Sequence, residues 1–234
     1  MIAHKIRTNL EKLSDKQRAK VLQRFFKMGP GEYGEGDMFL GIRVTELRKL
    51  AKEYQDITTK EVEQLLKSAI HEERLLALLI LVRTYSRGDE CAKKKIYELY
   101  LKNTKAVNNW DLVDGSAEHI VGAFLMDKSK RPLYRLAKSK NLWERRISIM
   151  STFHFIKRDE FSETLKISGM LISDEEDLIH KAVGWMLREV GKRRLQTEER
   201  FLRDHYKEMP RTMLRYAIER FPEPKRQRYL IGEI

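Results

Sequence analysis

Hydrophobic residues recur at helical spacing along almost the whole chain, and the alternating pattern that is typical of strands is absent. Glycine and proline fall between the periodic segments, and residues 29–41, with five glycines and one proline, predict the longest loop. Residues 14–17, 58–61 and 173–176 each have the pattern of a capping box, which predicts helix starts. The predicted helices cover residues 2–13, 14–28, 44–54, 58–70, 72–85, 89–101, 108–125, 132–137, 142–155, 173–194, 198–206, 210–221 and 224–230, with a further helix beginning at Asp159.

The apolar segments repeat along the chain. Leu75, Asp111, Ile147 and Val183 occupy similar places in successive segments, each 36 residues after the previous one. A period of this length with two helices per unit is typical of a helical solenoid, in which stacked units share one core and present a concave surface. The pattern therefore predicts an all-α fold and one domain over residues 1–234, without a linker.

Residues 108–125 are predicted to form one helix with two different faces. Apolar side chains at helical spacing supply one face, and Trp110 and Asp114 lie four residues apart on another side. Asn108 or Asn109 is suited to cap the first turn. Core packing alone does not require an indole and a carboxylate on one stripe, so this pair is a candidate site.

Two later helices carry comparable residues at matching places in the repeat. A tryptophan at helical spacing is more often a core residue than a site residue, and this alternative is favoured for Trp143. Arg145 and Arg146 differ by about 100° around their helix, so only one of them can face the concave surface. Asp114 by itself could be the ion-pair partner of a neighbouring arginine. The candidates on these helices are Trp143, Arg145, Arg146, Trp185, Arg188, Lys192 and Arg193.

Charge points to a polyanionic partner. The 47 lysines and arginines outnumber the 35 acidic residues and give a formal net charge of +12, which favours nucleic acid first and acidic membrane surfaces second. The single cysteine, Cys91, cannot form an internal disulfide, and no pair among the six histidines has zinc-ligand spacing. No long apolar run is present, so we expect neither a signal peptide nor a membrane span. We therefore expect a cytoplasmic protein.

Four segments together resemble the AlkD family of alkylpurine DNA glycosylases, which are built from HEAT-like repeats. They are FLGIRVTELRKLAKEY, NNWDLVDGSAEHIVGAFL, LWERRISIM and IHKAVGWMLREVGKR. The resemblance implies a superhelical solenoid of HEAT-like repeats with a concave basic groove. It also implies excision of N3- and N7-alkylated purines from double-stranded DNA, which leaves an abasic site. The reaction would need no metal or other cofactor, and the base would not be enclosed in a pocket. Independently of the resemblance, we expect the protein to act as a monomer.

The resemblance also assigns roles to residues. The catalytic carboxylate falls on Asp114, the two tryptophans of the groove on Trp110 and Trp185, and the arginine beside the lesion on Arg146. Phe25 stands where family members can carry a tyrosine, and Val44 where a polar residue can occur. The DNA-binding residues expected from the resemblance and from the basic helix surface are Arg43, Arg48, Arg188, Lys192 and Phe25.

Two other functions fit the same helical pattern. One is a DNA-binding repeat protein without catalytic activity, and the other is a scaffold that binds protein or RNA. Loss of Asp114 or of a tryptophan would favour the first alternative, and this sequence keeps these residues. Scattering of Trp110, Asp114, Arg146 and Trp185 away from a common groove would favour the scaffold.

Overall fold

The computed structural model describes residues 2–234, with side chains from His4 onward. Within that range the regular secondary structure is helical, which confirms the predicted all-α class, and one isolated β-bridge joins Met38 to Ile70. The chain divides into two compact units, residues 1–116 and 117–234. The expectation of a single domain stays a prediction. None of the helices in residues 2–234 has the length and apolar character needed to cross a membrane.

The first unit is organised around one buried helix. Helix α5 carries eleven buried residues and packs against α3 and α4, as its apolar sequence predicts. A long segment without regular structure joins α2 to α3, where the glycines predict a loop. The helices are α1 (Ile2–Lys12), α2 (Lys16–Phe25), α3 (Val44–Glu53), α4 (Thr59–Leu66), α5 (His71–Arg87), α6 (Glu90–Lys102) and α7 (Trp110–Asp114).

The second unit begins with a π-helical turn, Glu118–Gly122, that continues into a short α-helix. Helix α13 is its longest helix and packs against α10, α14 and α15 through a buried apolar face. The helices are α8 (Ala123–Leu125), α9 (Arg131–Ala137), α10 (Leu142–Ser151), α11 (Phe153–Ile156), α12 (Ser162–Met170), α13 (Asp177–Arg193), α14 (Leu195–His205), α15 (Arg211–Ala217) and α16 (Glu223–Ile231).

The prediction of one continuous helix over residues 108–125 was wrong. Helix α7 ends at Asp114, and Gly115 and Ser116 form a turn before the π-helical segment. The Ser116 hydroxyl donates to the Leu112 carbonyl at 2.5 Å and lies 2.9 Å from the Tyr100 hydroxyl. A serine that bonds back to the preceding turn competes with the backbone ladder and bends a helix. The turn at Ser116 therefore ends the first unit.

Several predicted helix starts also need correction. Asp15, not Ser14, caps α2, because its carboxylate accepts from the Gln17 and Arg18 amides, each at 3.0 Å. The box at residues 173–176 does not form, because α13 begins only at Asp177. Asp159 does not start a helix, since its φ is 60° and α12 begins at Ser162. The capping box of Thr58 and Glu61 is confirmed in full.

Candidate functional site

A cavity of about 520 Å³ lies within the first unit. Its volume falls in the range of small-molecule sites, and its walls are mainly apolar and aromatic with a few charged groups. Five of the nine predicted site residues line it, namely Asp114, Trp110, Arg43, Arg48 and Phe25. The other lining residues are Arg18, Leu22, Phe26, Phe39, Ile42, Val44, Leu47, His71, Glu72, Leu75, Leu79, Asp111 and Gly115.

Helix α7 brings the predicted carboxylate and indole to the cavity. Asn109 caps it, and its side-chain oxygen accepts from the Trp110 amide at 2.8 Å, which confirms one of the two predicted caps. Leu112 and Val113 are fully buried, whereas Trp110 and Asp114 are half-buried and line the cavity. Burial of the apolar face thus turns the other side of α7 to the cavity, as the four-residue spacing predicts.

Two phenylalanine rings pack directly against the Trp110 indole. Its indole stacks on Phe26 with ring centroids 5.2 Å apart and planes 19° apart, and Phe26 stacks on Phe39 at 5.0 Å. Phe25 meets the Trp110 ring edge-on at 5.8 Å and is 61% exposed. These contacts fix the plane of the indole, while Phe25 adds an exposed ring at the edge of the cavity.

A buried ionic network that was not predicted from the sequence holds α7 against α5. The Nε2 atom of His71 lies 2.8 Å from an Asp111 carboxylate oxygen, and Nδ1 lies 3.3 Å from Asp37. Arg74 forms an ion pair with Asp37 at 2.6 Å. Burial lowers the pKa of His71, but the hydrogen bonds with Asp111 and Asp37 outweigh it and raise that pKa above its ordinary value. Burial alone would raise the pKa of Asp37, but His71 and Arg74 together hold it below its usual range.

One sequence signal points to this network. Asp111 is the polar member of the 36-residue series whose other members, Leu75, Ile147 and Val183, are buried apolar residues. A carboxylate at a position that elsewhere packs in the core requires a buried partner. That partner, His71, is 40 residues away, and Asp37 is a further 34 residues away in an irregular loop, so no local pattern identifies them.

The loop before α3 places the arginines at the edge of the cavity. The Glu72 carboxylate accepts hydrogen bonds from the backbone amides of Leu40, Gly41 and Ile42, at 2.7–3.2 Å. These bonds tie the end of the loop to α5, and Arg43 follows directly. Arg43 and Arg48 are exposed and line the cavity together with Arg18, which is half-buried. The positive charge at this edge suits an anionic ligand such as a phosphate group.

Four predicted site residues belong to the second unit. Trp185 is half-buried, its ring centroid lies 5.8 Å from that of Phe153, and its indole N–H donates to Glu189 at 3.0 Å. Lys192 pairs with the same Glu189 at 2.6 Å, and Arg188 pairs with Glu219. A phosphate group would therefore compete with a carboxylate for each of these two cations.

Arg146 lies in the interior of the second unit. It is 5% exposed, and its guanidinium donates to the backbone carbonyl of Leu178. Contact with a DNA phosphate stays a prediction that requires this side chain to become exposed. Its neighbour Arg145 points elsewhere and binds Asp174 at 2.6 Å, as their separation around the helix requires. Trp143 is 7% exposed, which confirms the core position favoured from the sequence.

The fold and the cavity define an all-helical protein whose candidate site combines a carboxylate, an indole and arginines. The chain belongs to the family of DNA alkylation repair enzymes, because the family model of that description matches residues 6–221. No curated protein is similar enough to the sequence to count as a match.

Solved structures share the fold. A predicted DNA alkylation repair enzyme from Enterococcus faecalis is 17% identical, with a TM-score of 0.68 over 90% of this chain and 97% of that chain. AlkD2 from Streptococcus mutans is 18% identical, with a TM-score of 0.53 over 88% of this chain and 98% of that chain. At these identities the likeness concerns the fold, so the chemistry must be argued from the site itself.

Proposed function

We propose that this protein is a DNA glycosylase that hydrolyses the N-glycosidic bond of cationic N3- or N7-alkylated purines in duplex DNA. The products are the free base and an abasic site. The observation that carries the proposal is the cavity of the first unit, where Asp114 and Trp110 lie beside the exposed Arg43 and Arg48. Membership of the DNA alkylation repair enzyme family supports repair of alkylated DNA as the general activity.

The chemistry needs few groups because the substrate is already activated. Alkylation at N3 or N7 gives the purine a positive charge, so the base leaves as a neutral molecule with the electrons of the glycosidic bond. Positive charge then develops at the sugar, as in glycoside hydrolysis. The Asp114 carboxylate stabilises that charge and orients a water molecule, whose oxygen bonds to C1′ while one of its protons passes to solvent water.

The aromatic and basic residues hold the nucleotide in this mechanism. The electron-rich face of Trp110 stabilises a cationic sugar, and we assign the same role to Trp185. Arg43, Arg48, Arg188 and Lys192 bind backbone phosphates, and Phe25 contacts the DNA beside them. Arg146 binds a phosphate near the lesion once its side chain becomes exposed. Selectivity then rests on the instability of the cationic lesion, and the base need not be enclosed in a pocket. We expect the protein to act as a monomer and without a cofactor.

Replacement of Asp114 tests the proposal directly. Asp114→Asn keeps the shape of the side chain and removes its charge, so release of 7-methylguanine should fall by about a hundredfold or more. DNA binding should stay within about twofold, because the exposed arginines that bind phosphate are intact. Single-turnover release of free base and a binding titration on the same duplex measure the two effects.

The matched control is Asp56→Asn, which neutralises an exposed aspartate that does not line the cavity. Near-normal release by Asp114→Asn would remove this carboxylate from the mechanism. Binding of alkylated duplex without any release by the unmodified protein would favour the DNA-binding repeat protein instead. Absence of both release and DNA binding would favour the protein- or RNA-binding scaffold.

A further inference from the structure

Helix α7 is too short to hold its own position. It has five residues, and isolated helices below about 12 residues are marginal in water, so contacts with its surroundings fix it. Two aspartates form the polar part of these contacts. The Asn108 side-chain amide, just before the helix, donates to Asp37 at 3.3 Å, and Asp111 in its first turn binds His71 at 2.8 Å. His71 also binds Asp37, so one imidazole connects both attachments.

The geometry around His71 determines its charge. Each ring nitrogen faces a carboxylate oxygen, and an ionised carboxylate can only accept hydrogen bonds. A neutral imidazole would therefore leave one bare nitrogen against a negative oxygen, whereas an imidazolium donates to both. The other charged neighbours on α5 are Arg74, paired with Asp37, and Glu72, bonded to loop amides. Asp114 on α7 lines the same cavity.

The same ring also supports Trp110. The imidazole stacks on Phe39 with centroids 4.4 Å apart and planes 20° apart, and Phe39, Phe26 and Trp110 continue the stack. His71 thus helps to position Asp114, because its hydrogen bond to Asp111 holds α7. It helps to position Trp110 through the stacked rings of Phe39 and Phe26. The two residues of the first unit that would contact the reacting sugar, Asp114 and Trp110, are therefore held in place through one buried imidazole.

We propose that His71, as an imidazolium between Asp37 and Asp111, is a positioning residue for Asp114 and Trp110, and that base release depends on its protonated state. This inference rests on the proposed glycosylase function. When pH rises far enough to remove the proton, one charge-assisted bond is lost and a nitrogen lone pair faces a carboxylate. Helix α7 then loosens, and release slows. Phosphate binding by the exposed Arg43 and Arg48 continues, since both remain charged.

The test combines an NMR titration of the His71 ring with single-turnover release of 7-methylguanine, both between pH 5.5 and 9.5. The rate should fall at alkaline pH with a midpoint that matches the His71 titration. Asp111→Asn keeps an acceptor oxygen and removes a charge, so both midpoints should move to lower pH by about one unit. His71→Gln should lower the maximal rate by about tenfold or more and abolish the alkaline decline.

Asp56→Asn is again the control, because it removes an exposed carboxylate that does not line the cavity and should move neither midpoint. Thermal unfolding of each variant confirms that it is folded at the pH of the assay. If His71→Gln fails to fold, the shift of the two midpoints in Asp111→Asn tests the inference by itself. Two results would overturn the inference alone: a release profile that does not follow the His71 titration, or an Asp111→Asn variant that shifts the His71 midpoint without shifting the profile. Absence of release by the unmodified protein at every pH would instead overturn the glycosylase function.

Discussion

Glu198 on α14 is a carboxylate in an interior position. It is 2% exposed, and its Oε1 atom has no hydrogen-bond partner among the described residues. Its Oε2 occupies the space where a Cβ on Gly191 of α13 would lie, so this end of the side chain packs directly against a glycine. Burial and the neighbouring Glu199 raise the pKa of Glu198 to about 8, although Arg188 opposes the shift. Glu198 is therefore mostly uncharged at neutral pH.

This raised pKa makes stability depend on pH. Below about pH 4.5, the ordinary pKa, Glu198 is protonated in both states and contributes no pH dependence. As pH rises from there towards 8, the unfolded chain ionises while the folded chain resists, so folding is penalised. Glu198→Gln keeps the volume and removes the penalty, and should raise the free energy of unfolding at pH 8 by on the order of 3 kcal/mol. Urea unfolding at pH 4.5, 6 and 8 measures the difference.

The gain should shrink steadily towards pH 4.5. Glu160→Gln, which alters an exposed glutamate of the same unit, is the control and should change little at any pH. A gain that is equal at all three pH values would show that Glu198 is ionised in the folded protein.

Individual side chains show where sequence reasoning succeeds at the residue scale. The spacing of Trp110 and Asp114 is a local geometric fact, and burial of Leu112 and Val113 then decides which side of α7 meets the cavity. The partnership of His71 with Asp111 is not local, because it depends on how α5 and α7 pack 40 residues apart. Its only trace in the sequence is a charge at an otherwise apolar repeat position.

Two helices of the second unit approach closely at one glycine. Gly184 lies in the middle of α13, where an added Cβ would lie 2.4 Å from the Met213 carbonyl oxygen and 2.5 Å from the Tyr216 Cβ, both on α15. Backbone and Cβ atoms cannot move aside as a flexible side-chain end can. Close contact between the two backbones thus accounts for a residue that otherwise weakens a helix.

Replacement of glycine by alanine should therefore have opposite effects at two helical positions. Gly184→Ala should lower the free energy of unfolding by about 2 kcal/mol, because the methyl group forces α13 and α15 apart. Gly169→Ala on α12 should raise it by about 0.5–1 kcal/mol, since an added Cβ meets no atom within 4 Å there. Chemical denaturation of both variants checks the pair. Equal effects at the two positions would contradict the close approach of α13 and α15.

Helix boundaries were less predictable than helix existence. Two adjacent residues, Ser14 and Asp15, could each cap α2, and the choice falls on Asp15, whose amide bonds to the Leu40 carbonyl in the following loop at 2.8 Å. The break after Asp114 depends on Ser116, whose hydroxyl meets Tyr100 of α6 in the folded chain. Caps and breaks of this kind are selected by tertiary partners, which apolar periodicity does not encode.

At the scale of the whole molecule, the excess of basic residues, which gives a net charge of +12, should make DNA affinity fall as salt concentration rises. Each phosphate contact releases counterions, so the logarithm of affinity should fall linearly with the logarithm of salt concentration, by roughly 0.9 per contact on duplex DNA. Removal of Arg43 and Arg48 together should reduce this slope by roughly 2, because two contacts are lost.

Binding titrations of Arg43→Gln/Arg48→Gln at several salt concentrations measure this slope. Arg87→Gln alters an exposed arginine at the end of α5 that does not line the cavity, and should leave the slope nearly unchanged. A slope that the double variant shares with the unmodified protein would separate the cavity from the DNA contacts.

The solenoid and its basic groove remain predictions at this scale, while the helical class is established. Leu75, Ile147 and Val183 are all buried, as their equivalent repeat positions require, so the periodicity reports real packing within each unit. The resemblance to AlkD proteins pointed to the same family that the family model identifies. Packing within one helical repeat follows from the spacing of apolar residues. The shape of a stack of repeats depends instead on small rotations from one repeat to the next, which composition does not specify.

The loop between α2 and α3 contains positions with different freedom to change during evolution. At Gly31 and Gly36, both with positive φ, an added Cβ would meet no atom within 4 Å, so the chain has open space at these two turns. Between them, an added Cβ on Gly34 would lie 2.4 Å from the Phe26 carbonyl oxygen. At Gly41, with φ of +81°, an added Cβ would lie 2.2 Å from the Asp15 carbonyl oxygen, and Glu72 holds the amides on both sides. Insertions and length differences among relatives should collect at the two turns around Gly31 and Gly36, and the last residues before Arg43 should keep their number.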